Sequence, residues 1–182
     1  MSEGRVILTV GHGALDRGRF GELLTGAGVQ SIVDVRRFPA SRRNPDVSRE
    51  ALERWLPEIG LHYRWEERFG GRRHRRAGEP EEDTWWEVQA FRAYAAYTRS
   101  AEFVAALDPL LDEVQRRIVA VMCSESVWWR CHRRLIADVV TLSRGMAVRH
   151  LMPDGRLTPH PPAAGARVRA DGLLVWDGPR AG

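Results

Sequence analysis

Four short apolar runs, each with a residue of usable chemistry at or beside its end, constrain this chain more than any other feature. They are "RVILTV" (Arg5–Val10), "SIVDVR" (Ser31–Arg36), "RIVAVMCSE" (Arg117–Glu125) and "AVRHLM" (Ala147–Met152). Runs of this length, rich in valine and isoleucine and bounded by glycine or polar residues, read as buried strands. A fifth segment, "LHYRWEE" (Leu61–Glu67), alternates polar and apolar residues and reads as a strand as well. Helical patterns fill the gaps. "DRGRFGELLTGAGV" spaces Phe20, Leu23, Leu24 and Ala27 on one side and stops at Gly26 or Gly28. Ser48 caps "REALERWLPEIG". "TWWEVQAFRAYAAYTRS" reads as helical, and "AEFVAALDPLLDEVQRR" as a helix that Pro109 bends or divides. "RCHRRLIADVVTLSRG" reads as a helix stopped by Gly145.

Strands alternating with helices predict a mainly parallel sheet covered on both faces. The expected fold class is therefore three-layer α/β, Rossmann-like, with about five core strands. One domain over residues 1–182 is expected, because 43% hydrophobic residues suffice for one core. Two segments stand apart. The polar stretch over residues 68–84 reads as a long loop, basic in its first half and acidic in its second. Residues 153–182 are rich in proline and glycine and are expected to pack on the domain, with a last short strand at Leu173–Trp176.

In open sheets of this kind, ligands sit beyond the carboxyl ends of the strands, where strand order reverses. That rule collects the candidate residues. The first strand ends at His12, the second at Asp34 and Arg36, the fourth at Cys123 and Glu125, and the fifth at His150. If the first and fourth strands are neighbours, His12 and Cys123 face one crevice. Glu125, His12 and Cys123 are then the candidate catalytic groups. Arg36 follows a buried run and needs a partner: Asp34, Glu125 or an anionic ligand.

Charge narrows the partners. The formal net charge is +4, and all 28 basic residues are arginine. A Schiff-base lysine and a phosphate-loop lysine are therefore excluded. Arginine is the only permanent cation left to hold a carboxylate or phosphate. The glycine-kinked loop "RFGGRRHRRAG" suits phosphate contacts, and its Arg72–Arg76 stretch is a candidate nucleic-acid contact. The same arginines could instead pair with the acidic run Glu79–Asp83.

The two cysteines fit no familiar spacing. Cys123 and Arg130 give Cys-x6-Arg, one residue longer than the phosphate loop of cysteine phosphatases. Glu125 would also repel a phosphate dianion there. Cys-x7-Cys-His matches no usual zinc pattern, so neither metal nor cofactor is expected. A Cys123–Cys131 disulfide requires Cα atoms within about 7 Å, which spacing does not decide. Two cysteines also fit a reducing compartment. The N-terminal "MSEGRVILTVGHG" does not read as a secretory leader, and no run is long enough for a membrane span. A soluble cytoplasmic protein is expected. Nothing in the sequence bears on its oligomeric state.

The blocks "TVGHG", "IVDVRRFPASRRNP", "GLHYRWEERFGGRR", "FRAYAAYT", "AVMCSESVWWRCHRRLIAD", "VRHL" and "LTPHPPAAGARV" resemble, in order and spacing, the bacterial and archaeal family called domain of unknown function 488. The resemblance implies a three-layer α/β domain whose motif residues gather at one end of the sheet. Those positions are His12, Asp34, Arg36, Pro39, Ser41, Arg42, Gly70, Gly71, Cys123, Glu125, Cys131, His132, Arg133 and His150. It supplies no reaction. The sequence-based expectation is a small enzyme acting on a phosphorylated or nucleotide-like anion. Arg36, Ser41, Arg42, Gly70, Gly71, Arg72, Cys131, His132, Arg133 and His150 would help to bind it. A nucleic-acid-binding module and a thiol-based redox or metal-binding protein are the alternatives.

Overall fold

The computed structural model describes residues 5–180. Five strands run parallel: β1 (Val6–Gly11), β2 (Ser31–Asp34), β3 (His62–Trp65), β4 (Val119–Cys123) and β5 (Ala147–Leu151). A sixth, β6 (Leu157–Pro159), pairs antiparallel with β5. The order across the sheet is β3-β2-β4-β1-β5-β6. Helices α1 (Arg17–Gly26), α2 (Arg49–Glu58), α3 (Gln89–Tyr97), α4 (Ala101–Val114) and α5 (Arg133–Asp138) surround it. The fold is the expected three-layer α/β class, with a sixth strand supplied by the tail.

Side-chain alternation along the strands sorts the core into two layers. Ile7, Val33, Val119 and Val121 point to the face covered by α3, α4 and α5, with Tyr94, Phe103, Leu110 and Leu135. Leu8, Val10, Ile32, Ala120 and Met122 point to the face covered by α1 and α2, with Phe20, Leu24, Trp55 and Leu56. This two-sided burial is why β1, β2 and β4 read as continuous apolar runs. Alternation also decides the chemistry at the strand ends. Cys123 continues the Val119–Val121 side.

The sheet departs from the common doubly wound order, in which the first strand lies between the second and fourth. Here β4 lies between β2 and β1. Gly11 pairs with Cys123, and Asp34 pairs with Met122, so three strand ends meet.

Three helix expectations change. Trp85 and Trp86 precede α3 rather than joining it. The main-chain N–H of Trp85 donates to the carbonyl of Trp176, and both rings pack into an aromatic cluster with Phe91 and Trp176. Tertiary packing thus overrides helical spacing. α4 continues through Pro109. α5 itself is short and passes into a π-helical turn over Val139–Ser143.

The tail packs closely. Its hairpin, β7 (Ala166–Val168) with β8 (Leu174–Trp176), buries Trp176 completely. The Trp176 indole donates to Asp138 Oδ2 at 2.8 Å. Asp138 Oδ1 takes the Nε2–H of His160 at 2.7 Å. His160 Nδ1 meets His150 Nε2 at 2.9 Å, and His150 Nδ1 meets Thr9 Oγ1 at 2.6 Å. Arg133 Nη1 completes the chain on Thr9 Oγ1 at 3.3 Å. One proton on each ring pairs a donor with an acceptor at every link from Arg133 to Asp138, while the buried Arg133 Nε has no hydrogen-bond partner. Trp128 stacks on His150 at 4.2 Å with ring planes 4° apart.

Candidate functional site

A cavity of about 520 Å³ opens at the carboxyl ends of β1, β2 and β4. This is where the strand-end rule places a ligand. His12, Arg36, Ser41, Gly71, Arg72, Cys123, Glu125, Cys131 and His132 all line it. His12 and Cys123 do share one crevice, and the main-chain N–H of His12 donates to the Cys123 carbonyl at 3.1 Å.

One wall is a closed polar set. Asp34 is fully buried and grips Arg36 through two parallel bonds, Nε to Oδ1 at 2.9 Å and Nη2 to Oδ2 at 2.6 Å. Tyr63 donates to the same Oδ2 at 2.6 Å. Arg36 Nη1 donates to the Val47 carbonyl at 2.8 Å and lies 3.3 Å from His12 Nε2. A carbonyl only accepts, so His12 carries its proton on Nδ1, 2.9 Å from Gly13 O, and its Nε2 accepts from Arg36. Burial pushes the His12 pKa down to about 4; the Gly13 bond opposes this and the Arg36 charge adds to it. His12 is a neutral imidazole with both nitrogens engaged. Of the partners foreseen for Arg36, it is Asp34 that neutralises the charge.

The adjoining wall is sulfur and imidazole. The His132 Nε2–H donates to the Val35 carbonyl at 3.0 Å. In the neutral ring this puts a lone pair on Nδ1, 3.6 Å from Cys131 Sγ and 3.9 Å from Cys123 Sγ. The three side-chain ligand atoms lie within 4.8 Å of one another. The ring is fixed on two further sides. Tyr94 of α3 meets it edge-on at 5.0 Å, and Gly71 lies so close that a Cβ there would be 3.1 Å from Nδ1. Cys123 and Cys131 are free and buried, at 6% and 4% exposure.

The thiols divide the proton burden unequally. The bond to Cys131, then burial, pushes the Cys123 pKa up. Burial works against Cys131 too. It is outweighed by the bond from Cys123 and by the charge and backbone N–H of Arg133, so the Cys131 pKa falls. The Arg133 N–H stands 3.5 Å from Cys131 Sγ. Arg133 itself is 1% exposed and has no carboxylate partner among the described residues. Its Nη2 donates instead to the main-chain carbonyl of Glu125.

The loop after β4 rests on β1. A Cβ on Gly11 would fall 1.8 Å from the Glu125 carbonyl oxygen, so only glycine fits there. The Glu125 carboxylate is half-buried and ion-paired to nothing among the described residues; Val127 N, at 3.5 Å, is its nearest donor.

Four expected site residues lie away from the cavity lining. Arg42 is exposed on the loop after β2. Gly70 serves close packing, since a Cβ would lie 2.9 Å from Arg37 Cα. Arg133 and His150 belong to the buried wire: alternation along β5 turns His150 inward, and Arg133, at the start of α5, is drawn in by Thr9 and the Glu125 carbonyl. In their place the lining includes Arg37, Phe38, Phe91, Tyr94 and Arg130. Arg37 was readable as the neighbour of Arg36 in "VRRFP". Phe91 and Tyr94 had no local signal, because they arrive from α3.

The basic loop is partly occupied. Arg73 donates to the carbonyls of Gly70 and Glu67 and lies 3.8 Å over the Tyr97 ring. Arg75 pairs with Glu81 at 3.3 Å, as the acidic run suggested. Arg72 differs. It lines the cavity with a left-handed backbone, φ 54°, which costs a non-glycine residue about 1–2 kcal/mol. Such strain concentrates at functional sites. Of the tryptophans, Trp86 is buried and Trp129 is 44% exposed.

Fold and site together define a three-layer α/β protein with a thiol–imidazole cluster in a cavity at the strand ends. The sequence model of the family described as Domain of unknown function DUF488 matches residues 16–140, and the chain belongs to that family. The matched span contains Asp34, Arg36, Cys123, Cys131 and His132, whereas His12 and His150 fall outside it. No curated protein and no solved structure matches the chain. Among the described residues, no helix is long and apolar enough to cross a membrane.

Proposed function

We propose that this protein is a small enzyme that acts on an anionic small molecule in the strand-end cavity, with the Cys123–Cys131–His132 cluster as its reacting centre. The observation that carries this reading is the convergence of both sulfurs on the free lone pair of His132 at the cavity wall. The anion preference rests on the rim. Arg37, Arg72 and Arg130 line the cavity without an ion pair among the described residues, and Glu125 is the one carboxylate facing them. Phe38, 63% exposed beside Arg37 and Arg72, offers a flat apolar surface for a ring, which suits a nucleotide-like ligand.

Glu125, the free carboxylate, fits the role of general base or acid. His12 fits a supporting role, because Arg36 already occupies its acceptor nitrogen. A nucleic-acid module built on Arg72–Arg76 has less support, because Arg73 and Arg75 are engaged within the loop.

The test pairs binding with labelling. A panel of phosphates, nucleotides and carboxylates is screened by thermal shift, and iodoacetamide labelling of Cys131 is followed by peptide mass spectrometry. An anion that both raises the melting temperature and slows labelling of Cys131 supports the reading, provided that Arg72→Ala/Arg130→Ala weakens both effects. Labelling that no anion alters, or binding indifferent to both arginines, overturns it.

A further inference from the structure

We infer that Cys123, Cys131 and His132 form a three-ligand site for a thiophilic divalent metal ion, zinc foremost, with its fourth position open to the cavity. The inference rests on the reading of this cluster as the reacting centre and states how that centre works. Its basis is geometry. A tetrahedral zinc ion holds sulfur at about 2.3 Å and imidazole nitrogen at about 2.0–2.1 Å, which separates the two ligands by about 3.6 Å. The distances from His132 Nδ1 to the two sulfurs are 3.6 and 3.9 Å. All three ligand atoms lie within 4.8 Å of each other, which includes the sulfur–sulfur edge of such a tetrahedron. The site therefore needs only small side-chain adjustments to close on an ion.

The second observation is the orientation of the imidazole. Metal-bound histidines almost always donate their other N–H to a carbonyl, carboxylate or water, which fixes the tautomer. His132 does this through Nε2 to Val35 O. Its Nδ1 has no partner other than the two sulfurs. One lone pair cannot serve two thiols well, whereas one ion serves all three atoms. Arg133, buried beside Cys131, supplies positive charge next to that sulfur before an ion arrives.

Three protein ligands with an open position mark catalytic rather than structural zinc sites. All three ligands line the cavity bounded by Glu125 and the arginine rim, from which a fourth position would be reached. A water there would be acidified by the ion, and an anionic ligand there would bind the ion directly. Spacing gave no hint of this, because Cys-x7-Cys-His becomes a cluster only when the β4–α5 loop folds Cys131 and His132 back over Cys123.

The experiment uses the full-length reduced protein stripped of metal, titrated with cobalt(II) and then displaced with zinc. The expected result is one equivalent bound, with thiolate-to-cobalt charge transfer and the intense visible bands of a tetrahedral ion. Cys131→Ser and His132→Asn should each weaken binding by about 100-fold or more, beyond the usual effect of losing a supporting hydrogen bond. Far-ultraviolet circular dichroism establishes that each variant is folded, and Cys123→Ser replaces any that is not. Cobalt bound without sulfur charge transfer, no binding at all, or unchanged affinity in the folded variants overturns the inference. If metal binding fails while anions still slow Cys131 labelling, the thiol centre stands without an ion. If both fail, both readings fall.

Discussion

The Glu125 carbonyl oxygen occupies the space that a Cβ on Gly11 would need. The register that pairs Gly11 with Cys123 brings the loop after β4 directly onto the end of β1. That contact sets the carbonyl where Arg133 can donate to it. Gly11→Ala should force the loop away and leave Arg133 without this acceptor. A loss of about 1–3 kcal/mol or more is expected, the usual range for overpacking. Urea unfolding measures it. Gly26→Ala, at a position with open space around it, serves as the control and should change little.

Asp34 holds Arg36 with no solvent access. Asp34→Asn would leave a buried guanidinium without its counter-charge. The expected cost is about 3–5 kcal/mol, typical of breaking a buried pair from one side. Asp34→Asn/Arg36→Met should recover part of that loss. A double-mutant cycle by denaturant unfolding checks the coupling.

Acid should destabilise the protein through two histidines. Burial holds His12 at about 4 and, with His160 and Arg133 adding to it, His150 at about 3. The unfolded chain binds these protons below about pH 6.5, while the folded chain resists them. Stability from this source is complete above that pH and declines as pH falls toward the folded values. By pH 5 each histidine should have lost on the order of 2 kcal/mol. Unfolding free energies near neutral pH and near pH 5 test this. His12→Asn, which does not titrate, should flatten the slope.

The tail should report on the buried wire. Trp176→Phe keeps an aromatic ring but removes the N–H that serves Asp138 Oδ2. Leaving that oxygen short of a donor should cost about 1–3 kcal/mol. Trp129→Phe, at an exposed ring, should stay within about 0.5 kcal/mol. Guanidinium midpoints distinguish the two.

Much of this architecture was legible because apolar strands and amphipathic helices carry local patterns. "RVILTV", "SIVDVR" and "RIVAVMCSE" are strands because two faces bury them. The crevice uniting His12 with Cys123 followed from the strand-end rule. Other features lack a local trace. The order of β4 and β1 is set by long-range pairing. Trp85 and Trp86 lie in a stretch that reads as helical yet serve a tertiary aromatic cluster. His150 and Arg133 occupy strand-end and helix-start positions that suggest a ligand, but Thr9 and His160 claim them from within. The sulfur–imidazole cluster escaped spacing rules because a loop, rather than a helical repeat, brings its members together.

The place of β4 also bears on how the molecule comes to exist. Among the described residues, β1 bonds to β4 and β5 and never to β2. Ala120 stands opposite Leu8 on one side and Ile32 on the other. A growing polypeptide therefore emerges with β1 and β2 unable to join until Val119–Cys123 has been made. Parallel pairings between such distant segments are slow to form. The sheet closes late and from its middle, and the strand that closes it delivers the first sulfur. A partly folded chain holds no assembled cluster, so the cavity wall is complete only when the sheet is.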